Sequence, residues 1–206
     1  MRLIDAHARL LKLGPPAFET ADAAALLGIA NAHASTLLAR LSRSGHVVRL
    51  RRGVWALPDR VERLALPGYV TAPLPSYVSL QSALYHHGMI EQIPEVIYVA
   101  SLGRTGRRRT PLGVLSIHHL APEFFFGFEP AGRTGYALAT PEKALLDVLY
   151  LSPAKSRLFA SLPEIELPRG FSRRRAREMI ARIPSAKRRS LVAGRFEALL
   201  EKLGNG

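Results

Sequence analysis

The chain of 206 residues has no cysteine, which excludes disulfide staples, thiolate metal ligands and a cysteine nucleophile. It is also short of acid: 16 Asp and Glu stand against 29 Lys and Arg, a formal net charge of +13. No apolar run approaches the roughly 18 residues that would read as a membrane span. The first residues read as an amphipathic helix containing Asp5 and His7, not as a secretory leader. A soluble, cytoplasmic protein is therefore expected. HExxH and GxSxG are both missing, and the glycines of "LGRTGRRRT" lack the GxxxxGK[ST] order of a phosphate-binding loop. The residues left for an enzyme are His86, His87, His118, His119, Glu91, Glu123, Glu142 and Asp147. Neighbouring histidines diverge by about 100° on a helix and face opposite sides of a strand. No catalytic residue, metal ligand or cofactor is assigned. An enzymatic reading would need these groups to converge in one cleft.

What is present in abundance is arginine. A chain so basic and so rich in guanidinium favours a polyanionic partner, because phosphate contacts release counterions and arginine binds phosphates and base edges in two-pronged fashion. The charge is patchy. Residues 1–68 hold ten basic and five acidic groups, residues 169–206 hold eleven and three, and residues 119–168 hold four and six. Hydrophobic residues make up 48% of the chain, enough for a packed core.

Periodicity divides the chain. A helix is expected over Leu3–Leu13, stopped by "GPP". A second, "ADAAALLG", has Thr20 as cap and Gly28 as stop. A third, "NAHASTLLARLSRSG", has Asn31 as cap, with Ala34, Leu37, Leu38 and Leu41 sharing one face. From His46 the period shortens, and "HVVRL" and "GVWAL" around Arg51, Arg52 and Gly53 predict a hairpin. Four prolines in "LPDRVERLALPGYVTAPLPS" suggest a boundary. The expected division is 1–66, a proline-rich linker 67–75, and 76–206. In the last part "SYVSLQSALYHHG" reads as a helix capped by Ser76. "EVIYVAS" and "LGVLSIHHL" read as strands joined by the basic turn "LGRTGRRRTP". "EFFFGF" reads as a strand or a packed loop, "YALAT" as a strand, and "PEKALLDVLYL" as a helix capped by Thr140. Helical segments follow over Ser172–Arg182 and Ala186–Lys202. The fold class is α+β: an N-terminal winged helix-turn-helix, then a mixed α/β domain ending in basic helices.

Three helices and a hairpin in this order describe a winged helix-turn-helix, with Ile29 as the apolar pin between its second and third helices. Burying the leucine face of the third helix turns Ala32, Ser35, Thr36, Ala39, Arg40 and Arg43 outward. The candidate DNA-binding residues are Asn31, Ser35, Thr36, Arg40 and Arg43 on that helix and Arg49, Arg51 and Arg52 in the wing. Small residues let a helix approach base edges, and arginines reach phosphates. Trp55 is expected in the core. His33 and His46 have no carboxylate companion at metal-ligand spacing. A possible second basic surface comprises Arg104, Arg107, Arg108 and Arg109 with Arg173, Arg174, Arg175 and Arg177. DNA, an acidic protein or plain solvent would each account for it. Monomer and dimer both stay open.

The segments "RRGVWAL", "SYVSLQSALYHHGMI" and "TPEKALLD" resemble the AbiEi-type antitoxins of type IV toxin–antitoxin systems, and the likeness covers most of residues 1–150. The resemblance implies an autorepressor whose winged helix binds inverted repeats in promoter DNA. It also implies a second domain that counteracts a nucleotidyltransferase-like toxin. Its binding surfaces correspond here to residues 31–43 and to Arg49, Arg51 and Arg52. It further assigns "TPEKALLD" a signature role, and the apolar Ala144, Leu145, Val148 and Leu149 make that role one of folding. The alternatives are a stand-alone regulator whose second domain senses a ligand or oligomerises, and an enzyme with a DNA-binding appendage.

Overall fold

The structure, a computed structural model, describes residues 2–152 and 164–204. The N-terminal unit consists of α1 (Leu3–Leu10), β1 (Ala17–Glu19), α2 (Thr20–Leu27), α3 (Asn31–Arg43), β2 (Val48–Arg51) and β3 (Val54–Ala56). Its three strands are ordered β1-β3-β2 and pair antiparallel. This is an α/β region consistent with a winged helix-turn-helix. β1, a third strand, joins the expected hairpin.

The caps differ from expectation. Glu19, not Thr20, starts α2, in a capping box in which the Asp22 carboxylate accepts from the Glu19 backbone N–H at 2.7 Å. Thr20 instead serves the wing: its backbone N–H donates to the Gly53 carbonyl at 2.9 Å, and its hydroxyl accepts from the Trp55 indole at 3.0 Å. Ala30, not Asn31, occupies the cap position of α3 and supplies no side-chain acceptor. Asn31 already has helical geometry. The turn between α2 and α3 closes on left-handed Gly28, with the Ile29 N–H on the Ala24 carbonyl at 3.1 Å. Arg9 of α1 braces that turn from outside, donating to the Leu26 carbonyl at 2.6 Å.

Side-chain alternation in the small sheet joins the two halves of the molecule. Phe18 and Trp55 face the helices and pack with Leu10, Leu27, Leu38 and Leu41. Ala17, Val54 and Ala56 face the other way, into a core shared with the C-terminal part. The expected linker is itself structured. α4 (Leu66–Thr71) lies there, with Leu66 and Pro67 buried.

The C-terminal part is mixed α/β and helix-rich. Its strands are β4 (Ser76–Val78), β5 (Ile97–Ser101), β6 (Gly106–Thr110), β7 (Gly113–His119), β8 (Phe128–Ala131) and β9 (Tyr136–Ala139). They form one sheet ordered β6-β7-β5-β4-β9-β8, in which β5/β7 and β4/β9 are parallel and the other pairs antiparallel. Its helices are α5 (Leu80–His86), α6 (Pro141–Leu151), α7 (Arg173–Ala181) and α8 (Ala186–Gly204).

Two expectations are corrected here, and a third is refined. Ser76 begins a central strand rather than capping a helix, and α5 starts only after Ser79. The expected basic turn is largely the edge strand β6, which tolerates charge because one side faces solvent. "EFFFGF" divides into a 3₁₀ turn at Pro122–Phe124 and a strand from Phe128. Thr140 caps α6 as expected, its hydroxyl accepting from the Lys143 N–H at 3.3 Å.

Charge lies at the centre of this core. Lys143 and Asp147 form an ion pair one helical turn apart on α6, and both side chains are fully buried. Asp147 also accepts from the Tyr77 hydroxyl at 2.9 Å and the Ser79 hydroxyl at 2.6 Å. The Lys143 ammonium sits 3.6 Å from the Phe124 ring centroid. Burial lowers the Lys143 pKa and the Asp147 carboxylate opposes that shift. Burial and Asp147 together hold the Tyr77 hydroxyl well above its ordinary range. The network spans the corner from β4 into α5, where Leu80 adopts a left-handed backbone with φ 53°. That conformation is strained for a non-glycine residue and persists only when its surroundings hold it.

A second polar tie joins the segment between the two parts to the β8–β9 turn. Glu62 accepts from the Arg133 backbone at 3.1 Å, its guanidinium at 3.2 Å and the Thr134 hydroxyl at 2.9 Å. The Thr134 hydroxyl leads in holding the Glu62 pKa below its ordinary value, against a smaller opposing effect of burial. A carboxyl with a lowered folded pKa stabilises the fold above its unfolded pKa, and the contribution disappears as pH falls through the folded value. Thermal melts between pH 7 and pH 3 are therefore expected to show a shallower acid decline in Glu62→Gln than in the wild type. Equal declines would mean that the tie is energetically silent.

Candidate nucleic-acid interface

The outward face of α3 is assembled as its periodicity requires. Ala34, Leu37, Leu38 and Leu41 are buried, and Asn31, Ser35, Thr36, Arg40 and Arg43 are all exposed. Ala39, expected outside, is half-buried and packs on the helical core. The Thr36 hydroxyl donates to the Ala32 carbonyl at 3.1 Å, so it faces outward chiefly as an acceptor. Ser35 keeps both roles open. The first-turn N–H groups of α3, which like those of any helix have no intrahelical partner, receive no side-chain cap from Ala30 at the end of this exposed face.

The wing arginines divide. Arg52 is exposed at the tip beside Gly53, whose φ of 79° favours glycine. The Arg49 guanidinium lies 5.7 Å from the Trp55 ring centroid, on the helical side of the sheet. Arg51 turns toward the C-terminal part and donates from Nε to the Tyr69 carbonyl at 3.0 Å. Among the described residues, Arg40, Arg43, Arg49 and Arg52 make no ion pair.

The second basic surface divides more sharply. On α7, Arg174 pairs with Glu178 at 2.7 Å, and Arg177 grips Glu197 with two bonds of 2.8 and 2.9 Å. Arg175 lies 3.8 Å from the buried Glu142, whose other oxygen accepts the Ser172 N–H at 2.8 Å. Much of the arginine run at 173–177 is thus matched within the fold. Arg107, Arg108 and Arg109, exposed on β6, and Arg104 just before it make no ion pair among the described residues.

The candidates for catalysis do not converge. His87 contacts the Ala139 carbonyl at 2.7 Å. His118 contacts the Ser116 hydroxyl at 3.0 Å and stacks on Tyr98, and burial lowers its pKa. His119 is held by the carbonyls of Leu102 and Gly103. Glu91 borders a separate cavity with Glu164 and Glu166, and Asp147 is enclosed in the core. Among the described residues, no three His, Asp or Glu side chains are grouped to hold a metal ion. His33 is exposed, and His46 stacks on His7 with centroids 4.4 Å apart. Partial burial, then the neighbouring His46, lowers the His7 pKa. Among the described residues, no helix is long and apolar enough to cross a membrane.

Residues 8–58 match the model of a family described as a transcriptional regulator, AbiEi antitoxin. The match begins inside α1 and ends just after β3, so it covers most of the N-terminal α/β region and leaves the rest of the chain outside it. No curated protein matches the chain.

Proposed function

We propose that this protein is a DNA-binding autorepressor that serves as the antitoxin of a type IV toxin–antitoxin pair. It binds inverted repeats upstream of its own gene by inserting α3 into the major groove and laying the wing along the backbone. The observation that carries the reading is a set of exposed residues on α3 and the wing. It comprises the polar start of α3, the cations Arg40 and Arg43, and the wing arginines Arg49 and Arg52, none of them ion-paired among the described residues. Those residues belong to the segment that matches the regulator family. Ser35 and Asn31 suit base edges, and the arginines suit phosphates.

Fluorescence anisotropy with the protein's own upstream DNA tests the reading. Arg43→Ala and Arg52→Ala should each weaken binding and flatten the dependence of log K on log salt by about 0.9 unit per lost phosphate contact. Unchanged affinity and slope in both variants would reject this surface. A second reading, a stand-alone regulator, is favoured by the extent of the family match, which stops before the C-terminal part. Co-expression with a nucleotidyltransferase encoded beside it separates the two. An antitoxin restores growth, and a stand-alone regulator does not.

A further inference from the structure

Among the described residues the two most exposed large hydrophobic side chains are both isoleucines, Ile4 at 73% and Ile93 at 65%. They stand in surroundings of opposite charge. Between Arg63 and Arg104 the chain has no lysine or arginine, and the only acids there, Glu91 and Glu95, flank Ile93. Both are exposed, and neither makes an ion pair among the described residues. Glu164 and Glu166 border a cavity together with Glu91, and the Glu166 N–H donates to the Met89 carbonyl at 2.9 Å.

Ile93 lines a second cavity of about 200 Å³, with Leu64, Tyr85 and Pro94 around it. Tyr85 is exposed as well. Two basic residues reach this cavity, Arg63 and His86. The Arg63 guanidinium is held by the Glu95 carbonyl at 3.0 Å. Burial, then the neighbouring His87, shifts His86 toward its neutral form. The site is thus an apolar hollow beside a loop whose charges are acidic.

The other isoleucine heads a stripe on α1. Ile4, Ala8 and Leu11 follow at i, i+4 and i+7, and all three are exposed. Ala6 and Leu10, which hold the helix to its own core, are buried. Around the stripe stand the cations Arg2, Arg9 and Lys12 against a single acid, Asp5. An apolar stripe with basic flanks is the complement of an apolar hollow with acidic flanks.

We propose that the loop 91–95 and its cavity dock α1 of a second copy of this chain. An aliphatic side chain of the stripe fills the hollow, and Arg2 and Lys12 meet Glu91 and Glu95. The contact is heterologous, because a symmetric one would set the loop acids, or the α1 cations, against themselves. Each copy keeps one surface of each kind free, so the contact can repeat head to tail. One short helix against one loop makes a small interface of the weak, reversible class. The net charge of +13 opposes it at long range, and salt near 0.15 M screens that repulsion beyond about 8 Å.

The test needs no DNA, so it stands apart from the proposed function. Sedimentation equilibrium of the full chain at about 0.15 M salt should show a mass that rises with protein concentration. Glu91→Lys/Glu95→Lys and Arg2→Glu/Lys12→Glu should each weaken self-association by about 10-fold or more. An equimolar mixture of the two should regain it, since the reversed α1 then meets the reversed loop. Ile93→Ser should weaken it without changing either charge. Thermal melts control for folding, and all of these residues are exposed. A wild type that stays monomeric throughout would overturn the proposal. So would association untouched by either reversal, or lost in both and not regained in the mixture.

Discussion

Lys143→Met is expected to destabilise the protein by about 3–5 kcal/mol, the usual penalty for leaving the partner of a buried ion pair uncompensated. Asp147 would remain in the core with only the Tyr77 and Ser79 hydroxyls as donors. A domain typically holds ~5–15 kcal/mol in total, so the variant would lie near the edge of folding at 37 °C. Urea unfolding measures the loss directly. Lys143→Met/Asp147→Leu should recover part of it, since no unpaired charge is then buried, though Tyr77 and Ser79 lose their acceptor. A single variant as stable as wild type would mean that the ion pair contributes nothing net to the fold. A double variant worse than the single would mean that Asp147 is worth more to Tyr77 and Ser79 than it costs unpaired.

The second large effect concerns DNA. Ser35→Glu places a carboxylate in the middle of the exposed α3 face, where the proposed complex brings phosphates and base-edge acceptors. The expected loss of affinity for upstream DNA is about 100-fold or more, equivalent to about 2.7 kcal/mol. The fold should be nearly indifferent, because Ser35 is exposed and surface substitutions commonly shift stability by less than about 0.5 kcal/mol. Anisotropy titration and a thermal melt on the same preparation separate the two effects. Full-strength binding by Ser35→Glu would show that α3 does not face the groove.

The parts of the fold legible in the sequence were those with a clean period. The leucine stripe of α3 and its exposed Ser35, Thr36, Arg40 and Arg43 follow from 3.6-residue spacing alone, and Trp55 is buried as expected. Short elements were less legible. "AFE" is too brief to show alternation between two turn signals, so β1 emerges only through its pairing with β3. "SYV" belongs to a central strand only three residues long, and the helical run after it drew the helix boundary three residues early. β6 was read as a turn because arginine is no strong strand former, although an edge strand accepts it readily.

The Lys143–Asp147 pair illustrates a different limit. Its i, i+4 spacing is that of an ordinary surface ion pair. What buries it are Tyr77, Ser79 and Phe124, and the two hydroxyl donors lie about seventy residues upstream. Long-range burial leaves no local signature. The arginine run on α7 is the converse case. Its ion pairs were not legible because Glu142 and Glu197, which meet two of its arginines, are distant in sequence.

The central claim is sequence-selective binding of upstream DNA by the winged helix. DNase footprinting of the protein's own upstream region, in excess random-sequence duplex and near 150 mM salt, tests it most directly. Discrete protected blocks over a repeated element, lost in Ser35→Glu, are expected. Protection spread evenly along the fragment, or abolished by the random-sequence competitor, would contradict it.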